Sequence, residues 1–262
     1  MAILLRPNPE AFNFLDAAGI ARTEANGSII IGICQLTTDL KQYGLWDKMK
    51  AIYPMVGQSG VSSSFEVNLK DPNTFRGTFS GDWIFSNTGA KPDGATGFFN
   101  TNLIGNTELT RDNHHISFYS RTQDTSKNGY NMGADSPFPN RSMLTVYYNS
   151  ESLKAFINAQ YTAGWTSVNN TNTLGLHTGG INPSNQSKLW LNGSLLATTA
   201  PISVNMPNTT LYIGAINNNN IAGAYMPHET AFNSIGDGLT DTDAANLYTA
   251  VQRFQTTLGR QV

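Results

Sequence analysis

The stretch Lys188-Leu-Trp-Leu-Asn-Gly193 reads as a strand that runs into an Asn-Gly pair. Asn-Gly supplies the two positive φ angles that a type I′ turn demands, so Leu195-Leu-Ala-Thr198 is the returning strand of a tight hairpin. Further on, Leu211-Tyr-Ile-Gly214 reads as another short strand. The chain then closes with a helix predicted over 240–258. Thr240 stands three residues before Asp243, a weak form of the capping box. Ala244, Leu247, Tyr248, Val251, Phe254 and Leu258 share one helical face, and Gly259 is the expected stop.

Upstream of the hairpin the pattern is also β. Phe65-Glu-Val-Asn-Leu69, Thr78-Phe-Ser-Gly81, His115-Ile-Ser-Phe-Tyr-Ser120 and Met143-Leu-Thr-Val-Tyr-Tyr148 are short runs separated by Gly, Asn, Asp and Pro clusters. Residues 152–160 and 173–177 add two more candidates. Short strands at this spacing predict a two-sheet sandwich, and no repeat of 20 to 50 residues points to a propeller or solenoid. Asn217-Asn-Asn-Asn220 reads as a loop tip. The first 56 residues read as helical instead. Pro9 suits a helix N1 position and Gly19 ends that helix. Ile30, Ile33, Cys34 and Leu40 line one face of a second, closed by Gly44, and residues 45–52 make a short third turn. The expected division is therefore 1–56, a helical anchoring or oligomerisation segment, and 57–262, a sandwich with its closing helix.

The hairpin, the strand ending in Ile-Gly and the closing helix resemble the tail of concanavalin A-like (laminin-G-like) jelly rolls. The resemblance is closer to the jelly-roll structural proteins of tailed bacteriophages. It is carried by Gly44-Leu-Trp-Asp-Lys-Met-Lys-Ala-Ile-Tyr-Pro-Met-Val-Gly57, by Asn68-Leu-Lys-Asp-Pro72, and by residues 231–248 from Ala231-Phe-Asn-Ser-Ile to Tyr248. It implies a mostly β fold, a concanavalin A-like jelly-roll sandwich with a small N-terminal helical segment and a C-terminal helix. It also implies a virion location.

Composition narrows the function classes. Charged residues make up 13% of the 262, about half the roughly 25% of an ordinary soluble protein. Solubility must come from Asn, Thr, Ser and Gly, a surface suited to an extracellular or virion setting. A net charge of −2 without a basic cluster argues against nucleic-acid binding. Cys34 is the only cysteine, so neither an intrachain disulfide nor a thiolate metal cluster can form. The opening run Met-Ala-Ile-Leu-Leu is too short for a signal peptide, and no segment approaches the roughly 20 apolar residues of a membrane span.

The fold also hosts glycoside hydrolases, which need paired carboxylates as acid and nucleophile. The nearest pattern, Glu66-Val-Asn-Leu-Lys70, keeps only the first of them. His114 and His115 are adjacent, so on a strand one faces in and one out, which is poor geometry for a shared metal. Calcium could bind the loop residues Asp93, Asp124, Asp135 and Asp237, although Asp in loops is several times more often a turn former than a ligand. Glycan binding calls for aromatic faces and amides. Tyr161, Trp165, Tyr130 and Tyr225 are the candidates, with the 217–220 asparagines beside them; the competing reading is core packing. Trp83 and Trp190 are expected in the core.

The expected protein is thus a non-enzymatic virion structural protein without an assigned cofactor. It would decorate a capsid or form part of a fibre or tail, as a homo-oligomer such as a trimer. Its partners would be other virion proteins, through the N-terminal segment, and host surface polysaccharide. A purely architectural subunit and a tail-borne polysaccharide-degrading enzyme are the alternatives.

Overall fold

In the computed structural model, Asn192 and Gly193 take φ of 51° and 74°, as the type I′ turn requires. The structure describes residues 8–137, 139–148, 152–157, 166–182, 184, 186–200 and 205–262. In chain order it begins with α1 (Pro9–Ala17), α2 (Gly27–Gln42), β1 (Met49–Tyr53) and the single turn α3 (Ser62–Phe65). There follow β2 (Thr78–Ser80), β3 (Trp83–Ser86), β4 (Gly89–Pro92), β5 (Phe98–Ile104) and the short α4 (Gly105–Glu108). The middle holds β6 (His114–Ser120), β7 (Met132–Asp135), β8 (Arg141–Tyr148), β9 (Ser152–Ile157) and β10 (Thr166–Asn169). Next come β11 (Gly175–Asn182), β12 (Gln186–Leu191), β13 (Ser194–Thr199) and β14 (Thr210–Ile213). The chain closes with β15 (Ile216–Asn218), β16 (Ile221–Gly223), β17 (Thr230–Gly236) and α5 (Asp241–Thr257).

The strands form two sheets. The first runs β13-β12-β11-β6-β17-β4-β3, with β1 also paired to β17. The second runs β10-β9-β8-β7-β14-β5-β2, and β15 lies parallel to β7 with β16 beyond it. Phe99, Ile116, Phe118, Met132, Leu144, Ile213 and Ile235 fill the space between the sheets. The other face of the first sheet is covered by helices. Phe14, Leu15, Ile33, Leu36 and Leu40 pack there with Leu247, Val251 and Phe254 against Tyr119, Leu176 and Phe232. Among the described residues, the three long helices therefore lie on one side of the sandwich.

Local signals explain α5. The Thr240 hydroxyl accepts from Asp243 N at 3.1 Å while the Asp243 carboxylate accepts from Thr240 N at 2.8 Å, a complete capping box. Gly259, at φ 65°, ends the helix. Asp241 ties the helix start to the hairpin, accepting from Lys188 Nζ at 2.8 Å and from Trp190 Nε1 at 2.9 Å.

Three expected elements differ. Residues 45–52 are not a helix: one 3₁₀ turn, Trp46–Lys48, leads straight into β1. The cause is tertiary, because the edge of β17 at Asn233–Gly236 takes residues 49–53 as its neighbour. The last part of the 1–56 segment is thus sheet, and its helices share a core with α5. Residues 65–69 are not a strand either. Asn68 is buried and spends its whole amide on the backbone around it. Its Oδ1 accepts from Ile52 N (2.9 Å) and Lys70 N (3.0 Å), and its Nδ2 donates to Lys50 O (3.2 Å) and Thr74 O (3.3 Å). The loop borders β1 through this side chain and one backbone bond, Leu69 N to Ile52 O at 2.8 Å, where a strand would use a full ladder. The 217–220 stretch is more than a loop tip, since Ile216–Asn218 and Ile221–Gly223 pair across Asn219 and Asn220, both at positive φ.

Candidate functional site

With the helical layer on the first sheet, the outer face of the second sheet carries none of the long helices. Strand alternation puts a row of aromatic side chains on it. On β14, Leu211 and Ile213 enter the core, so Tyr212 between them points out. On β5, Phe99 and Leu103 enter the core, so Phe98 points out. Phe98 and Tyr212 stack, with ring centroids 4.6 Å apart and planes at 24°. Tyr212 is only 6% exposed, so it backs the half-buried Phe98, and Phe98 is the ring that the pair presents to the surface.

Tyr225 and Tyr130 stand close to one another. The Tyr130 amide donates to Ala224 O at 2.9 Å, which anchors the turn that carries Tyr225. Ala224 itself takes a positive φ of 47°, a conformation that costs a non-glycine residue about 1 kcal/mol. The Tyr225 hydroxyl donates to Ala222 O at 3.2 Å. Burial raises the pKa of the Tyr212 hydroxyl, and nearby Tyr225 pushes it the same way. Tyr130 lies against Met143 and Ile216, with its ring 5.7 Å from that of Tyr148. Burial, then Tyr148, drive its hydroxyl well above the usual tyrosine range. Beside this pair, Asp135 and Arg141 form a cross-strand ion pair at 3.1 Å. Burial raises the Asp135 pKa, with Arg141 opposing.

Of the four expected glycan-binding residues, the structure brings Tyr130 and Tyr225 together, half-buried, on this face. Tyr161 and Trp165 lie outside the described residues. Phe98, Tyr212 and Tyr148 belong to the same surface and were not singled out in the sequence. For Tyr212 the signal is alternation, since core residues Leu211 and Ile213 flank it on both sides; Phe98 and Tyr148 each adjoin a core residue on one side only. Trp190 is buried as expected, whereas Trp83 is half-buried against Phe79 and Phe85.

The polar candidates take structural work. His114 and His115 do point to opposite faces, but both are fully buried, because the outer face of β6 lies under the helical layer. His114 Nε2 meets Ser142 Oγ at 3.1 Å in the sandwich interior, and His115 Nδ1 meets Asp237 O at 2.6 Å. The expected outward histidine is thus covered. Asp93 folds its own turn, accepting from the amides of Ala95, Thr96 and Gly97 at 2.8–2.9 Å. Burial opposes ionisation there, but these bonds win and hold the carboxyl well below its usual range. Asp124 accepts from Ser126 N at 2.7 Å, and Asp237 lies 3.8 Å from Lys50 Nζ. Among the described residues, no three His, Cys, Asp or Glu side chains come together as a metal site. Glu66, the remnant of the carboxylate pattern, lies 3.7 Å from Arg76.

No protein-family model matches the chain, and no curated protein matches its sequence. Solved structures match its fold. Domain 4 of AbnA, a GH43 extracellular arabinanase from Geobacillus stearothermophilus solved in complex with arabinotriose, aligns with TM-score 0.50 at 14% identity. The alignment covers 76% of this chain and 98% of that one. The receptor binding domain of botulinum neurotoxin C/D mosaic serotype aligns with TM-score 0.51 at 12% identity, over 78% of this chain. The chain spans about half of that domain, 51%. The botulinum neurotoxin serotype D binding domain gives TM-score 0.50 at 12% identity, over 78% of this chain and 52% of its own. These likenesses define the class: a concanavalin A-like jelly-roll sandwich, here with a helical layer on one sheet and an aromatic strip on the other.

Proposed function

We propose that this chain is a non-catalytic glycan-binding protein of a tailed-phage particle. The outer face of the second sheet meets host surface polysaccharide, and the helical layer faces the particle or sister subunits. The observation that carries the glycan half is the aromatic strip, where half-buried Phe98, Tyr225 and Tyr130 lie on a face without a long helix among the described residues, with Phe98 backed by the buried Tyr212. Sugar rings present C–H faces that pack on half-exposed aromatic rings such as Phe98 and Tyr225. A fold of the same class carries arabinotriose in domain 4 of AbnA. The virion half is supported by the sequence resemblance over residues 44–72 and 231–248. The non-catalytic reading is supported by Asn68, which occupies the second carboxylate position of the hydrolase pattern and is consumed in holding the backbone.

The test is a glycan array probed with the purified protein and with Phe98→Ala and Tyr225→Ala. Wild type is expected to retain a defined set of glycans, and each variant to lose about tenfold or more in affinity with unchanged circular dichroism. Binding that survives both substitutions, or none in the wild type, sinks the glycan half. Release of reducing ends from a retained polysaccharide would instead make the protein an enzyme. Cryo-electron microscopy of the particle addresses location: density buried between other subunits would mean architecture.

A further inference from the structure

Three loops meet at the end of the sandwich where β5 finishes and β14 begins. Gly105 N donates to Thr209 O at 3.0 Å and Asn106 N to Pro207 O at 2.9 Å. Asn208 N donates to Ser136 O at 2.9 Å, and Ser136 N to Asn140 O at 2.9 Å. The three loops thus fix one another through their backbones, which leaves their side chains to face the gap between them.

That gap is a cleft of about 460 Å³, within the range of roughly 300–1,000 Å³ typical of small-molecule sites. Asn106, Asn140, Asn205 and Asn208 line it. Leu109 and Met206, 7% and 3% exposed, lie beneath as part of the inter-sheet core, so the floor is apolar and rigid. Arg111 also lines the cleft, and its Nε donates to Asp112 Oδ2 at 3.0 Å, which offsets its charge locally. Among the described residues, no hydrogen bond engages the side-chain amides of Asn140, Asn205 or Asn208.

Each of these amides offers two donors and an acceptor. A ligand that satisfies several of them must donate and accept at closely spaced points, as vicinal hydroxyls do. A multiply charged anion would call for a surplus of cations, and a purely apolar ligand would leave the amides unpaired. We propose that this cleft is a second saccharide site, which takes one unit of an uncharged oligosaccharide by its hydroxyls. It is separate from the aromatic strip and stands or falls independently of it.

The test is made in the Phe98→Ala/Tyr225→Ala protein, so that the strip is silent. The side-chain NH₂ resonances of the asparagines are followed by ¹⁵N NMR during titration with maltohexaose, cellohexaose and arabinohexaose, and separately with trigalacturonate. At least one neutral probe is expected to shift Asn140 and Asn208 saturably, and Asn140→Ala/Asn208→Ala to weaken it about tenfold or more. Resonances that stay still with every neutral probe up to tens of millimolar overturn the proposal. So does tighter binding of trigalacturonate, which would make the site an anion site.

Discussion

The four histidines share one condition: His114, His115, His177 and His228 are all buried to within 1% of complete burial. Burial in each case depresses the pKa to about 4 from an ordinary value near 6.5. Between those values the unfolded chain binds more protons than the folded one, so stability rises with pH through this window. It is complete above about pH 6.5 and is lost as pH falls toward 4. Each histidine contributes on the order of 3 kcal/mol once the transition is finished. Lowering the pH from 7 to 5 is therefore expected to shift the urea midpoint markedly downward, before most carboxylates titrate. A midpoint that holds across that step would mean that these rings are solvated. The sequence placed His114 and His115 on opposite faces correctly. It could not show that both faces of β6 are interior, because the cover comes from helices far away in the chain.

At the scale of elements, the hairpin β12–β13 and α5 form one unit through Asp241, and Gly193 lies where they touch. A Cβ at Gly193 would meet Ala245 Cα at 2.9 Å and Tyr248 Cβ at 3.0 Å, on a backbone already at φ 74°. Gly259 has a similar φ of 65° with nothing within 4 Å. Gly259→Ala is then expected to cost about 1 kcal/mol, for conformation alone. Gly193→Ala should cost more, about 2–3 kcal/mol, because the helix must also shift. Equal losses in urea denaturation would show that the turn and the helix are not in contact. Both elements were legible in the sequence because their signals are local: Asn-Gly for the turn, and Thr240 with Asp243 for the cap. β1 was not, because residues 49–53 become a strand only through β17. Residues 65–69 alternate like a strand yet form a loop, since one buried amide, Asn68, offers the backbone a better arrangement.

On the scale of the whole molecule, the helices of the first 44 residues are part of the hydrophobic core. Phe14, Leu15, Ile33, Leu36 and Leu40 are at most 1% exposed and share a cluster with Phe232 and Phe254. Removing residues 1–44 is expected to leave a protein that aggregates or melts far below wild type, since uncovering several large apolar side chains costs about 2 kcal/mol each. A truncated protein with an unchanged melting temperature would instead make that segment a detachable anchor. The sandwich was legible from the spacing of its strands, but the order of strands and the side left without helices were not. Sheet neighbours such as β6 and β17 are separated by much of the chain, and the aromatic strip draws Phe98, Tyr130 and Tyr212 from different strands and loops. The pairing of β1 with β17 also sets a schedule for synthesis. β1 leaves the ribosome with no sheet neighbour of its own until Thr230–Gly236 follows, on the order of 10–40 s later at bacterial or eukaryotic elongation rates. For that interval Met49–Tyr53 has no ladder partner, and its unpaired edge is open to pairing with another nascent chain. Yield on expression should therefore respond to translation speed and chaperone supply more than the stability of the finished protein would suggest.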